Sequence, residues 1–319
     1  MLDEITATYR EIAREISKRE NLLIVGPSAN THLSSLTSHV LPLETNDTWA
    51  RDHGFITLTD DEGHHRLLDF CFNGWGEKFP AELDNAINRR LYDNGLPPLN
   101  PMDCPPQAEG QSSEYADCLN FVLEGGSIES DGRGTVFTTT GCLLAPHRNQ
   151  PLTKDEIETR LKHDLHAERI LWIDHGNLTG DDTDGHIDTL VRICPDDTLL
   201  YMGCDDPNDE QYDELRLMKE QLKTFRTIDG RPYILKKLPM PRPIYENVQC
   251  ERLPATYANF LVINGAVLCP TYAQPDLDAE ALRLIGEAFP DREIVGIDCR
   301  SIIKQHGSLH CCTMQFPSI

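Results

Sequence analysis

No Cys-x-x-Cys pair occurs anywhere in the 319 residues, although the chain carries 11 cysteines. That absence removes zinc knuckles and thioredoxin-like redox pairs, and an odd number of widely spaced thiols does not make a disulfide scaffold. Most of them lie in apolar runs such as Leu67-Leu-Asp-Phe-Cys71 and Ala266-Val-Leu-Cys269, where cysteine is a small buried hydrophobe. The pattern predicts a reducing, cytoplasmic setting. No apolar run reaches the roughly 18 residues that a membrane span needs. The first 20 residues alternate in charge and lack the apolar centre of a signal peptide. Basic residues are scarce, 29 Lys and Arg against 52 Asp and Glu, for a formal charge of −23. A field of that sign repels nucleic-acid phosphates and anionic headgroups, which argues against nucleic acid and membrane surfaces as partners and favours small cations. The rest is ordinary: 39% hydrophobic and 25% charged residues exclude the disordered and fibrous classes.

What is present is organised as a repeat. Leu2, Ile5, Tyr9, Ile12 and Ile16 predict an amphipathic helix, and Asn21–Val25 a buried strand ended by Gly26-Pro27. A module of two strands, a helix and a closing strand then recurs. In one copy the hairpin is Gly126–Ser130 with Thr135–Thr139, the helix starts at Thr153 with acids in its first turn, and Ile170–Ile173 closes it. The next runs through Gly185–Ile193, Thr198–Met202, a helix over Glu214–Phe225 and the strand Tyr233–Leu238. Another uses Asn259–Ile263, Ala266–Cys269, Leu277–Ala288 and Glu293–Ile297. A less regular copy starts at Asp52 and includes a helix around Ala81–Tyr92, and a strand-like fragment, Gly307–Gln315, needs the N-terminal helix and strand to finish it. The expectation is an α/β fold, a five-bladed propeller of ββαβ-type units forming one domain over residues 1–319, with Pro-rich Leu96–Pro106 as an insertion. An ordinary mixed α/β fold is the alternative.

Four stretches hold polar residues that a strand-and-turn scaffold does not need. They are Glu44–Asp52, Glu124-Gly-Gly-Ser127, Asp181–Asp188 and His306–Gln315. His186 and Asp188 sit at i and i+2, which on a strand puts both on one face, as an acid/base with its charge partner, as two metal ligands, or as a plain hydrogen-bonded pair. Cys311 is separated by the same alternation from His310 and Cys312, so its base must come from elsewhere, and His186 is the candidate. Polar Thr313 and Gln315 at i+2 and i+4 set Cys311 apart from a core thiol. Asp52, Glu124 and Asp188 add three acids. A planar guanidinium offers a fork of N–H donors that two carboxylates match, which would leave its central carbon open to a thiolate.

In these residues the chain resembles the agmatine deiminase family, within the guanidine-modifying thiol enzymes that include peptidyl-arginine deiminases. The motifs that carry the likeness are Asp47-Thr-Trp-Ala-Arg-Asp52, Phe72-Asn-Gly-Trp-Gly-Glu-Lys78, Glu124-Gly-Gly-Ser-Ile128, Asp182-Thr-Asp-Gly-His-Ile-Asp188, Tyr257-Ala-Asn259 and Gly307-Ser-Leu-His-Cys311. The resemblance implies the five-bladed propeller and hydrolytic deimination of agmatine to N-carbamoylputrescine and ammonia, a step of putrescine and polyamine biosynthesis. It implies Cys311 as nucleophile, His186 as general acid/base, Asp52 and Asp188 as the guanidinium-holding pair and Glu124 as a support for His186 or the substrate. Trp49 would line the aliphatic stem and Asp182 would receive the far amine. No metal or cofactor is implied, the partner is a small cationic guanidine, and a homodimer is the assembly carried as an expectation. Two departures, Gln305-His-Gly-Ser-Leu309 in place of a Gly-Gly-Gly-Asn-Ile run and Cys312 in place of an aliphatic, bear on the substrate rather than the reaction. Peptidyl-arginine or free arginine is therefore the alternative substrate. A metal-dependent amidinohydrolase and an inactive amine-binding scaffold are the more distant readings.

Overall fold

The structure is a computed structural model that describes residues 2–27, 39–95, 114–246 and 251–317. The expected insertion Leu96–Pro106, with Cys104, and also Cys250, lie outside the described residues. Helix α1 (Leu2–Ser17) buries Ile5, Ile12 and Ile16, as its spacing requires, whereas Leu2 at its first turn is exposed. It lies against the last sheet, where the Thr8 hydroxyl meets Ser301 Oγ at 2.8 Å and Arg19 pairs with Glu293.

Five separate sheets are formed by the described residues. The first pairs two parallel strands, β1 (Leu23–Gly26) and β2 (His39–Pro42). The other four share one topology: an antiparallel hairpin, a helical crossover, and a closing strand parallel to the second strand of the hairpin. Strands β3 (Ile56–Thr59), β4 (His65–Cys71) and β5 (Glu114–Val122) form one, with α2 (Ile87–Asp93) in its crossover. The next is β6 (Ile128–Ser130), β7 (Thr135–Thr139), α3 (Lys154–Asp164) and β8 (Arg169–Ile173). Thr153 and Glu156 close a capping box on α3, which fixes where that helix begins. Strands β9 (Val191–Cys194), β10 (Thr198–Met202) and β11 (Ile234–Leu238) follow, with α4 (Tyr212–Leu222). The last has β12 (Leu261–Ile263), β13 (Ala266–Thr271), α5 (Pro275–Ala288) and β14 (Glu293–Asp298). Each helix covers its sheet with an apolar stripe, such as Leu215, Met218 and Leu222 of α4, while the central strands β7 and β10 are buried along their whole length.

Two sequence expectations are overturned, and both concern segments that carry chemistry. Residues 185–190 are not the start of a strand: His186 is extended, Ile187–Thr189 is one 3₁₀ turn, and pairing begins only at Val191. Asp181 dictates this, since its carboxylate accepts from the Thr183 N–H, the Thr183 hydroxyl and the Gly185 N–H, folding 181–185 into a tight loop. Nor is Gly307–Gln315 a strand. His306 adopts a left-handed φ of 65°, and the backbone beyond it is held by other elements rather than by a ladder. The His310 N–H donates to Asn259 Oδ1 at 2.8 Å, and the Arg51 N–H to the Cys311 carbonyl at 3.0 Å.

Candidate active site

The loops just before β6 and β9, the turn before β3 and the C-terminal segment deliver their polar residues to one buried place. Asp52 arrives on the short helical turn Ala50–His53, Glu124 just past β5, His186 and Asp188 around the 3₁₀ turn, and Cys311 on the C-terminal turn. All five are less than a tenth exposed. Burying so many ionisable groups is costly unless they bind one another, and they do so pairwise.

Asp52 Oδ2 accepts from Trp75 Nε1 at 2.9 Å, and its Oδ1 accepts from the Gly126 N–H at 3.0 Å. Position 126 must be glycine: a Cβ there would come within 2.6 Å of His186 Nδ1 and 2.8 Å of Asp52 Oδ1. His186 lies between two acids, with Nε2 at 3.3 Å from Glu124 Oε2 and Nδ1 at 3.5 Å from Asp52 Oδ1. Burial pulls the imidazole toward neutrality, but Asp52, Cys142 and Glu124 outweigh it and hold His186 protonated well above its ordinary range.

Asp188 Oδ2 accepts from His310 Nδ1 at 2.7 Å and from Asn259 Nδ2 at 3.1 Å. Its other oxygen, Oδ1, is buried without a hydrogen-bond partner, and so is His186 Nδ1. Asn259 reaches the thiol as well, its side chain 3.3–3.5 Å from Cys311 Sγ, which itself lies 4.0 Å from Asp188 Oδ2. Burial pushes Asp188 up to about 7. Burial, then the charges of Asp188 and Asp52, push the Cys311 thiol far above the usual cysteine range. The resting site thus holds a protonated thiol and, on Asp188, a buried carboxylate oxygen still open to a donor. A cation seated between Asp188 and Asp52 would offset the acid charges that, after burial, keep the thiol protonated.

This sign sets an expected result. At pH 7 a neutral haloacetamide should label Cys311 slowly, and a cationic haloacetamidine should label it at least about ten times faster, because the cation brings its own counter-charge to the acids. Mapping the labelled peptide by mass spectrometry over time checks this. Equal rates for the two reagents would show that the acids do not recruit cations to the thiol.

Several expected members stand differently from the sequence picture. Cys311 is separated from His310 and Cys312, but by a turn rather than by strand alternation: His310 turns to Asp188, and Cys312 Sγ donates to the Ser308 and Leu309 carbonyls. Thr313 and Gln315 do not face the site. The Thr313 hydroxyl donates to the His310 carbonyl, and Gln315 binds Arg51 and the Val262 carbonyl. Trp49 is buried, its ring packed on Gly307 so closely that a Cβ there would lie 2.3 Å away. Asp182 is outside the buried cluster, half exposed, with its carboxylate 3.7 Å from His306 Nδ1. The sequence reading missed four partners: Asn259 and Trp75, which stood only as motif letters, and His310 and Arg148. Arg148 lies in the polar run His147-Arg-Asn-Gln150, which is not among the four stretches singled out.

Glu124, Cys142 and His186 have ligand atoms close enough for one metal ion. Both oxygens of Glu124, however, already accept from Arg148 Nε at 3.0–3.1 Å, so a cation is already bound to that carboxylate. The donor set fits an ion-pair relay.

A family model of Porphyromonas-type peptidyl-arginine deiminases matches residues 1–317. An agmatine deiminase of Stutzerimonas stutzeri is 32% identical, the match covering 98% of this chain and 87% of that protein. Among solved structures, a Porphyromonas gingivalis protein provisionally described as an arginine deiminase is 48% identical, with a TM-score of 0.91 over 99% of this chain and 91% of the other. A cysteine-to-serine variant of the C. jejuni agmatine deiminase with substrate bound is 37% identical, with a TM-score of 0.84 over 98% and 86%.

Proposed function

Because the chain belongs to the Porphyromonas-type peptidyl-arginine deiminase family, we propose that it is a thiol hydrolase that deiminates agmatine to N-carbamoylputrescine and ammonia. The observation that carries this is the approach of Cys311 Sγ to Asp188 Oδ2 at 4.0 Å, beside the other oxygen of that carboxylate, Oδ1, which is buried without a partner. Asp188 Oδ1 and Asp52 take the N–H groups of the guanidinium from two sides and leave its carbon facing Sγ. As the guanidinium offsets the acids, the Cys311 thiol loses its proton to water, the thiolate sulfur bonds to that carbon, and the tetrahedral adduct expels one nitrogen as ammonia, with the added proton supplied by His186. An S-alkylthiouronium remains. Water adds to it as His186 takes a proton back, the C–S bond breaks, and the ureido product leaves with the thiol restored. Glu124 keeps His186 charged for the first half, and Asn259 holds thiol and carboxylate in register.

Agmatine is favoured over arginine if the half-exposed Asp182 receives the far end of the substrate, because an acid attracts a terminal ammonium and repels a carboxylate. Lys78 reaches the same loop, but its ammonium is spent on Asp184 and the Asp182 carbonyl. The Trp49 ring on Gly307 supplies an apolar wall for the aliphatic stem. The 48% identity to a protein described as an arginine deiminase motivates the second reading, arginine or peptidyl-arginine as substrate. Ammonia release from agmatine, free arginine and a C-terminal arginyl peptide, measured in parallel, decides between them. Agmatine should be preferred in kcat/KM by about 10²-fold, and equal or faster turnover of either arginine substrate overturns the assignment. Four sheets of one topology and a fifth beside the N-terminal helix support a closed five-bladed propeller in one domain over residues 1–319. The nine described cysteines are all free, which suits a cytoplasmic enzyme. No helix among the described residues is long and apolar enough to cross a membrane.

A further inference from the structure

We infer that Arg148 is a positioning residue of this site, tying Glu124 to the loop that carries His186 and so fixing both the aim of the imidazole and the charge it faces. Arg148 lies between α3 and the short helical turn Thr140–Leu143, outside every motif that marks the site in the sequence. Its side chain and that of Glu124 have no exposed surface. Nε donates to both Glu124 oxygens at 3.0–3.1 Å, one terminal nitrogen donates to Asp184 Oδ2 at 2.6 Å, and the other to the Thr183 carbonyl at 2.8 Å. The guanidinium fork therefore spans two segments far apart in the chain, the end of β5 and the 181–186 loop, and the imidazole that bridges them is two residues from Asp184. The neighbouring residue reinforces the anchor, since the Asn149 side chain accepts from the Val122 N–H at 2.9 Å and donates to its carbonyl at 2.8 Å. A lysine has the charge but not the fork, and cannot bind Glu124, Asp184 and the Thr183 carbonyl at once.

The electrostatic part of the role follows from what else faces the imidazole. His186 looks onto Glu124 at Nε2, Asp52 at Nδ1, and Cys142 and Asp188 close by; Arg148 is the cation bound directly to one of those acids. His186 and Glu124 titrate as a coupled pair, with the proton favoured on His186 beside an ionised Glu124. Removing Arg148 leaves the pair next to uncompensated acids, so the proton is held more tightly wherever it resides. The step in which His186 must accept a proton from water then begins only at higher pH.

The inference rests on the acid/base role proposed for His186, and the test separates the two. In Arg148→Met, kcat on agmatine should fall about 10²-fold with KM changed less than about threefold, and the ascending limb of the kcat–pH profile should move up by about one pH unit. Arg148→Lys should keep the limb near its wild-type position and still lose about tenfold in kcat, because charge is retained and aim is not. The imidazole of His186, followed by NMR in histidine-labelled protein without substrate, should titrate about one unit higher in the Met variant and near wild type in the Lys variant. Wild-type limb and imidazole titration in both variants, or a wild-type kcat in Arg148→Lys, would overturn the inference. A wild-type enzyme that leaves agmatine untouched would refute the substrate reading, while the imidazole titration would still judge Arg148.

Discussion

Replacing Cys311 with alanine should lower ammonia release from agmatine by about 10⁴-fold or more and leave the protein folded. Without sulfur the only route left is direct attack of water on a guanidinium, and His186, protonated next to Asp52 and Glu124, is poorly placed to activate it in the first half of the reaction. The fold should tolerate the change because Cys311 is a small side chain whose polar contacts are weak, two to Asn259 at 3.3–3.5 Å and one to Asp188 at 4.0 Å. The C-terminal turn is held instead by the backbone bonds of His310 and Cys311 to Asn259 and Arg51. Loss of one buried sulfur should therefore cost on the order of 1 kcal/mol. Cys311→Ser should be equally inactive, since a serine hydroxyl next to two acids is a far weaker nucleophile than a thiolate, yet it should bind agmatine, which calorimetry would detect. An ammonia assay beside a thermal melt checks both variants, and activity within tenfold of wild type in either one would remove Cys311 from the mechanism.

The parts of this fold that were legible in the sequence are those set by local periodicity. The repeat placed the strands β7 and β10 and the helix α4, and Thr153 announced the start of α3. The segments misread as strands were those where one side chain overrules the pattern. Asp181 draws 183–185 into its carboxylate, and Asn259 with Arg51 pins the backbone at 310–311, neither of which alternation can reveal. For the same reason the argument from Thr313 and Gln315 that set Cys311 apart does not hold in the structure, because those side chains brace Arg51, Val262 and His310. The acids and His186 were found as motif letters. The contacts of Arg148, which stands outside every motif, and of His310, a motif letter given no role, were not foreseen, because each acts through a partner distant in sequence, Glu124 for one and Asp188 for the other. The formal charge of −23 acquires a local meaning here: three of the acids are buried in one cluster, and two of them, Asp188 and Asp52, disfavour the thiolate.

Asp188→Asn should remove about 10³-fold from kcat/KM, the cost of deleting one member of a buried charge pair in the bound complex. The orphaned Oδ1 is the atom that meets the substrate, and an asparagine can present only one acceptor there, or a like-signed N–H dipole facing the guanidinium. The loss should fall on KM and on kcat together, since the same carboxylate binds the guanidinium and turns its carbon toward Sγ. Stability should move the other way. Burial raises Asp188 from 3.8 to about 7, so the folded protein holds this proton more tightly than the unfolded chain. Stability from this group is then complete below about pH 4, where both states are protonated, and is lost progressively as pH rises through 7. Asparagine is exempt from that loss while it still accepts from His310. At pH 8 the melting temperature of Asp188→Asn should equal or exceed that of wild type, and the difference should vanish near pH 4. The same linkage applies to binding: a guanidinium needs the ionised carboxylate, so agmatine should bind the Cys311→Ser protein more tightly as pH rises from 6 to 8, releasing a proton as it does. Calorimetry in buffers of different ionisation enthalpy would count that proton. A binding constant flat across this range, together with a melting temperature for Asp188→Asn well below wild type at pH 8, would mean that Asp188 supports the scaffold and that the guanidinium is held elsewhere.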